Sequence, residues 1–225
     1  MLLNHKSLKN YEGFIFFLSK FYKFFKRNDI RVLIYHHIEK QNYKLFYNQL
    51  KLIKKEWNFI SPAQFEAHMN GKQKLKGKNI LLTFDDGFNS NFLIAEKILK
   101  KLKIKAIFFV PSDFIKINSS SKARIFIKKN ILDQILPSDF NFVKNINTTN
   151  LKKLIKNGHL IGAHTKTHAN LALISDNRKL KNEIINSAHN LEKLLKIKIK
   201  HFAFTYGNYE SISKKSLKLA LAQYQ

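Results

Sequence analysis

A chain of 225 residues with 44% apolar side chains can bury one sizeable core, and it is read as a single folded domain. Its formal charge of +26 would ordinarily point to nucleic acid, but only Arg27, Arg31, Arg124 and Arg178 supply the planar fork that reads phosphates and bases, and the lysines are scattered among Asn, Ile and Phe, so no nucleic-acid partner is expected. The chain has no cysteine, which excludes a disulfide framework and a thiolate metal site and leaves nine His and fifteen carboxylates as candidate ligands.

Residues 1–29 form the first segment. Phe14, Phe17, Leu18, Phe21, Phe24 and Phe25 recur at helical spacing, with Lys20, Lys23, Lys26 and Arg27 between them. The pattern predicts a basic amphipathic helix that lies either on its own domain or, as a peripheral contact, on an anionic membrane surface. It holds no 18-residue apolar run and no small-residue cleavage site, so neither a spanning helix nor a signal peptide is expected. The cytoplasm is the expected location, and the cytoplasmic membrane face the alternative.

Residues 30–225 alternate short apolar runs with longer amphipathic stretches. "RVLIYHH" (31–37), "NILLTFDDG" (79–87), "IKAIFFVPS" (104–112), "HLIGAH" (159–164) and "KHFAFTYG" (200–207) read as buried strands. Helical patterns lie between and after them at 43–56, 62–69, 89–103, 148–157, 177–196 and 210–222. This alternation predicts an α/β fold with a parallel sheet, open or closed into a barrel. Residues 113–147 break the beat; "NSSS" marks a loop there, and the stretch is expected to be an insertion that walls a groove.

Four of the five runs end in residues able to do chemistry: Tyr35, His36 and His37, then Asp85 and Asp86, then His164, then Tyr206. The C-terminal ends of parallel strands open on one face, so these groups should converge. His164 and His168 are four apart, and on a helical turn both imidazoles would reach one ion. Two His and one carboxylate leave coordination positions open for water and substrate, as in catalytic zinc sites. One aspartate then suffices as ligand, and its neighbour is placed to accept a proton from water. The competing reading has one Asp capping the helix that follows; it does not account for two.

"LLTFDDGFNSNFLIAEKILKKLKIKAIFFV" and "GHLIGAHTKTHANLALIS" resemble the first two motifs of the polysaccharide deacetylases with homology to the nodulation chitooligosaccharide deacetylase. The resemblance runs over 79–112 and 148–207. It implies a distorted (β/α) barrel, Asp85 as general base, Asp86, His164 and His168 as ligands of Zn2+ or another divalent metal, and hydrolysis of the N-acetyl group of an amino-sugar saccharide.

"FAFTYGNY" is similar to the third motif, with Ala203 where an Arg and Thr205 where a Pro is usual. Tyr206 and Gly207 still match and imply a substrate-binding groove wall; the partner that orients Asp85 is not identified. Members with the usual order carry a catalytic-acid His after this motif, and here none follows His201. A permuted branch acting on poly-N-acetylglucosamine takes its acid from an N-terminal segment that "LIYHHIEK" resembles, which implies His36 as the acid and His37 as the alternative and substrate neighbour. The barrel is expected to be incomplete, lacking a C-terminal strand. The competing functional reading is a catalytically impaired, glycan-binding remnant of the same fold.

Overall fold

The computed structural model describes residues 29–131 and 143–224. The amphipathic pattern over Phe14 to Arg27 lies outside these residues, as does part of the expected insertion.

Five strands form one sheet: β1 (Asp29–Tyr35), β2 (Asn58–Phe59), β3 (Lys78–Phe84), β4 (Ala106–Val110) and β5 (Leu160–Ala163). Every pairing is parallel and the main order is β1-β3-β4-β5, with β2 pairing β3 at Asn79 and Ile80. The two-residue β2 is too short to carry a periodic signal, and the sequence did not suggest it. Among the described residues, six helices follow the expected beat, α1 (Tyr43–Ile53), α2 (Pro62–Met69), α3 (Asn89–Ile94, continuing through a π-helical stretch, Ala95–Leu99, into Lys100–Leu102), α5 (Thr148–Lys156), α6 (Asn177–Leu195) and α7 (Lys214–Gln223), and one more, α4 (Ser120–Asn130), lies in the stretch that breaks it.

Two of the expected elements need correction. The run at 200–207 is not a strand; it touches the sheet through a single parallel bridge, Ala163 to Phe202, so the sheet is not closed and the barrel is incomplete. The serines of "NSSS" lead into a helix rather than a plain loop, because α4 starts at Ser120 and buries Ala123 and Ile127 against Phe114 and Phe88.

The central strands β3 and β4 are covered on both faces, as a buried parallel strand requires, whereas β1, expected to be buried, has no fully buried residue and leaves Val32 and Ile34 exposed. Leu82, Phe84, Ala106, Phe108 and Val110 pack on Leu50 of α1, Ile94 of α3 and Ile184, Ala188 and Leu191 of α6. Leu81, Ile107 and Phe109, the alternate residues, meet Ile60 and Leu75 on the inner side. Gly162 in β5 is required by close approach: a Cβ there would come within 2.4 Å of the Phe109 ring and 3.1 Å of the His201 carbonyl. The absent side chain lets the 200–204 stretch lie against β5, where Ala163 donates to His201 O and accepts from Ala203 N.

The register sets Tyr35 opposite Phe84, Phe84 opposite Phe108 and Val110 opposite Ala163. The residues that follow these strands therefore leave the sheet at one rim. No helix among the described residues is long and apolar enough to cross a membrane.

Candidate active site

The rim opens into a cavity of about 1060 Å³. His36, His37, Asp85, Asp86, His164, His168, Tyr206 and Gly207 all line it, so every residue singled out from the sequence meets in one place. Asp85, Asp86, His164 and His168 are buried. His36 is exposed to the cavity.

Asp86, His164 and His168 each offer one ligand atom, and these atoms lie within 4.8 Å of one another. Asp86 Oδ1 is 3.4 Å from His164 Nε2 and 3.2 Å from His168 Nε2. Each imidazole is oriented from its far side: His164 Nδ1 lies 2.9 Å from the carbonyl of Ala203, and His168 Nδ1 lies 2.8 Å from that of Asn130. A carbonyl can only accept, so Nδ1 carries the proton on both rings and Nε2 faces Asp86. A carboxylate and two imidazoles so arranged are a donor set that suits zinc or another divalent ion.

The two histidines do not meet on a helical turn. No helix spans 164–168, and Thr165 (φ 58°) and His168 (φ 64°) are both left-handed. The turn they make brings the rings to a centroid separation of 5.1 Å. Asp86 (φ 70°) and Tyr206 (φ 66°) are left-handed as well, so four of the chain's six described non-glycine residues with positive φ surround the site. Each such residue costs about 1 kcal/mol, a cost that persists where the surroundings enforce the conformation.

Neither aspartate caps α3, whose N-cap is Phe88 without a side-chain bond. Burial works against ionisation of Asp86, yet hydrogen bonds from His164 and His168 outweigh it and hold the carboxyl well below its usual range. Burial would depress His164, but its bond to Asp86 and the charge of Asp85 raise it instead. Asp85 is pushed upward by burial, against the pull of His164. Its Oδ1 is buried and has no hydrogen-bond partner among the described residues, while its backbone is fixed by Tyr35 O and Asn91 Nδ2. Among the described residues no side chain replaces the missing motif Arg at that oxygen.

The two N-terminal histidines differ in setting. His37 Nδ1 sits 2.9 Å from Ser90 Oγ and its ring packs edge-on against Phe88, whereas His36 is among the charges that act on the Asp85 carboxyl. Tyr206 stands at the cavity wall with its ring 5.1 Å from that of His168. The carbonyls of Ala203 and Asn130 were not foreseen, since a backbone acceptor leaves no trace in residue type.

Comparison with known proteins agrees with this architecture. The family model described as polysaccharide deacetylase matches residues 72–224. The fold is similar to that of the deacetylase PplD of Streptococcus pyogenes, solved with acetate, at 22% identity and a TM-score of 0.67 over 87% of this chain and 80% of that one. IcaB of Ammonifex degensii gives 21% identity and a TM-score of 0.67 over 88% and 82%. A de-N-acetylase of Aggregatibacter actinomycetemcomitans gives 18% and 0.63 over 87% and 85%. No curated protein matches the chain. With the motifs, the open parallel sheet and the family match in agreement over most of its length, this chain belongs to the polysaccharide deacetylase family.

Proposed function

We propose that the chain hydrolyses the N-acetyl group of an acetylated amino-sugar saccharide, with a divalent metal, zinc in the first instance, held by Asp86, His164 and His168. The observation that carries this reading is the pairing of that donor set with an adjacent buried carboxylate, Asp85, whose Oδ1 has no partner among the described residues. A stability-driven core would satisfy that oxygen; a general base must keep it open for the proton it takes.

When bound, the ion polarises the acetyl carbonyl and lowers the pKa of water at its open position. Asp85 Oδ1 accepts the proton of the water that adds to the carbonyl carbon. His36, exposed in the same cavity and at the same rim of the sheet, donates a proton to the sugar nitrogen as the C–N bond breaks, so acetate and a free amine leave. Its position just after β1, the strand that pairs with β3, is what the permuted branch would require. His37, Tyr206 and Gly207 shape the walls against which the saccharide lies. Tyr206 adds an aromatic surface, suited to a sugar ring, next to the metal ligands.

N-acetylglucosamine oligomers are the substrate to try first. Acetate and new amine groups should appear in equal amounts; saccharide binding without acetate release would replace this reading by the glycan-binding remnant.

A further inference from the structure

The turn that carries His164 and His168 contains two left-handed residues and therefore has no helical ladder to satisfy its amides. Its polar groups are nonetheless met from α6. Glu183 Oε2 accepts from the backbone N–H of Lys166 at 3.0 Å and of Thr167 at 2.8 Å, and Glu183 Oε1 accepts from Thr167 Oγ1 at 2.9 Å. One helical turn on, Ser187 Oγ donates to Thr165 O at 2.6 Å. The strap is completed by Thr205 Oγ1, which donates to Ala169 O at 2.6 Å, and by Thr165 Oγ1, which accepts from Ala169 N. Glu183, Ser187 and Thr205 are all buried.

We infer that Glu183 is a positioning residue for the metal ligands, holding the 165–169 turn in its left-handed form so that His168 Nε2 faces Asp86. This rests on the metal-site reading above. A buried carboxylate serves this end because one side chain accepts three donors at once, which an apolar residue cannot do; an amide of the same length can still take both N–H groups on its one oxygen and donate to the threonine hydroxyl. Thr205, which stands where the family motif usually has Pro, belongs to the same device: its hydroxyl ties the third-motif segment to the end of the turn. A Pro there could not make this bond.

Three variants test it, Glu183→Ala, Glu183→Gln and, as a control of similar packing cost, Leu191→Ala on the same helix. Zinc affinity is read by competition with a chromophoric chelator, and the His168 ring tautomer by nitrogen NMR of the metal-free protein. Glu183→Ala should weaken zinc binding by about 10- to 100-fold, the range found when outer partners of metal ligands are removed, and should mix the His168 tautomers. Glu183→Gln should recover most of the affinity, and Leu191→Ala should lower the melting temperature with zinc affinity unchanged. Wild-type affinity and tautomer in Glu183→Ala would overturn the inference. A wild-type protein that binds no zinc would instead remove the metal reading, and the tautomer measurement would still decide the role of Glu183.

Discussion

Asp85→Asn is expected to lower turnover by about 10²- to 10⁴-fold, the span attributed to a positioned general base, with bound zinc retained. Asn has the shape of Asp and leaves the packing around β3 intact, but its amide cannot accept the proton of the attacking water. The geometry supports this division: both Nε2 atoms face Asp86 Oδ1, and Asp85 Oδ1 has no hydrogen-bond partner among the described residues. The raised carboxyl of Asp85, a result of burial, suits a group that must take up a proton at working pH. Turnover and zinc content of the purified variant are measured together. Loss of zinc along with activity would make Asp85 a ligand and overturn the assignment of base and ligand to the two aspartates.

The second large effect is on the metal. In a His164→Ala, His168→Ala double variant, zinc should no longer survive desalting, and turnover should fall to the uncatalysed background, because Asp86 alone cannot hold the ion. The loss extends to the fold. Asp86 is buried and its carboxyl is held low by the two imidazoles, so their removal leaves a buried charge without its partners, a change that costs about 3–5 kcal/mol when a buried pair is broken. Denaturant titration of the metal-free proteins measures this cost. A double variant that kept both zinc and stability would show that the cluster is not the metal site.

The strand ends were legible because a fully buried parallel strand is a short apolar run and its end is marked by the first polar residues. This is why Asp85, Asp86 and His164 could be placed together from sequence; β1 was read in the same way and is not buried, yet its apolar run still ends at the rim and brings His36 to the cavity. The same reasoning failed at 200–207, where an equally apolar run is held to β5 by one bridge: its side chains pack, but its backbone does not pair along a length. The helical turn expected at His164 and His168 was read from spacing alone, and spacing does not distinguish a helical turn from two left-handed residues; the αL conformations at Thr165 and His168 depend on bonds to Glu183, Ser187 and Thr205, distant in sequence. Glu183 lies in "KNEIINSAHN", where charged and apolar residues alternate as on any surface helix, so nothing in its neighbourhood marks it as buried. Ala203 illustrates the converse. Its side chain departs from the family motif, yet its carbonyl orients His164, a contact that residue type does not reveal.

Acetate release from an N-acetylglucosamine oligomer, followed while metal-free protein is titrated with zinc, tests the central claim most directly. Turnover should rise in proportion to bound zinc and level off at about one ion per chain, as a single site of two His and one Asp requires. Acetate release that is unaffected by zinc, or zinc bound at one per chain with no acetate released, would contradict the account.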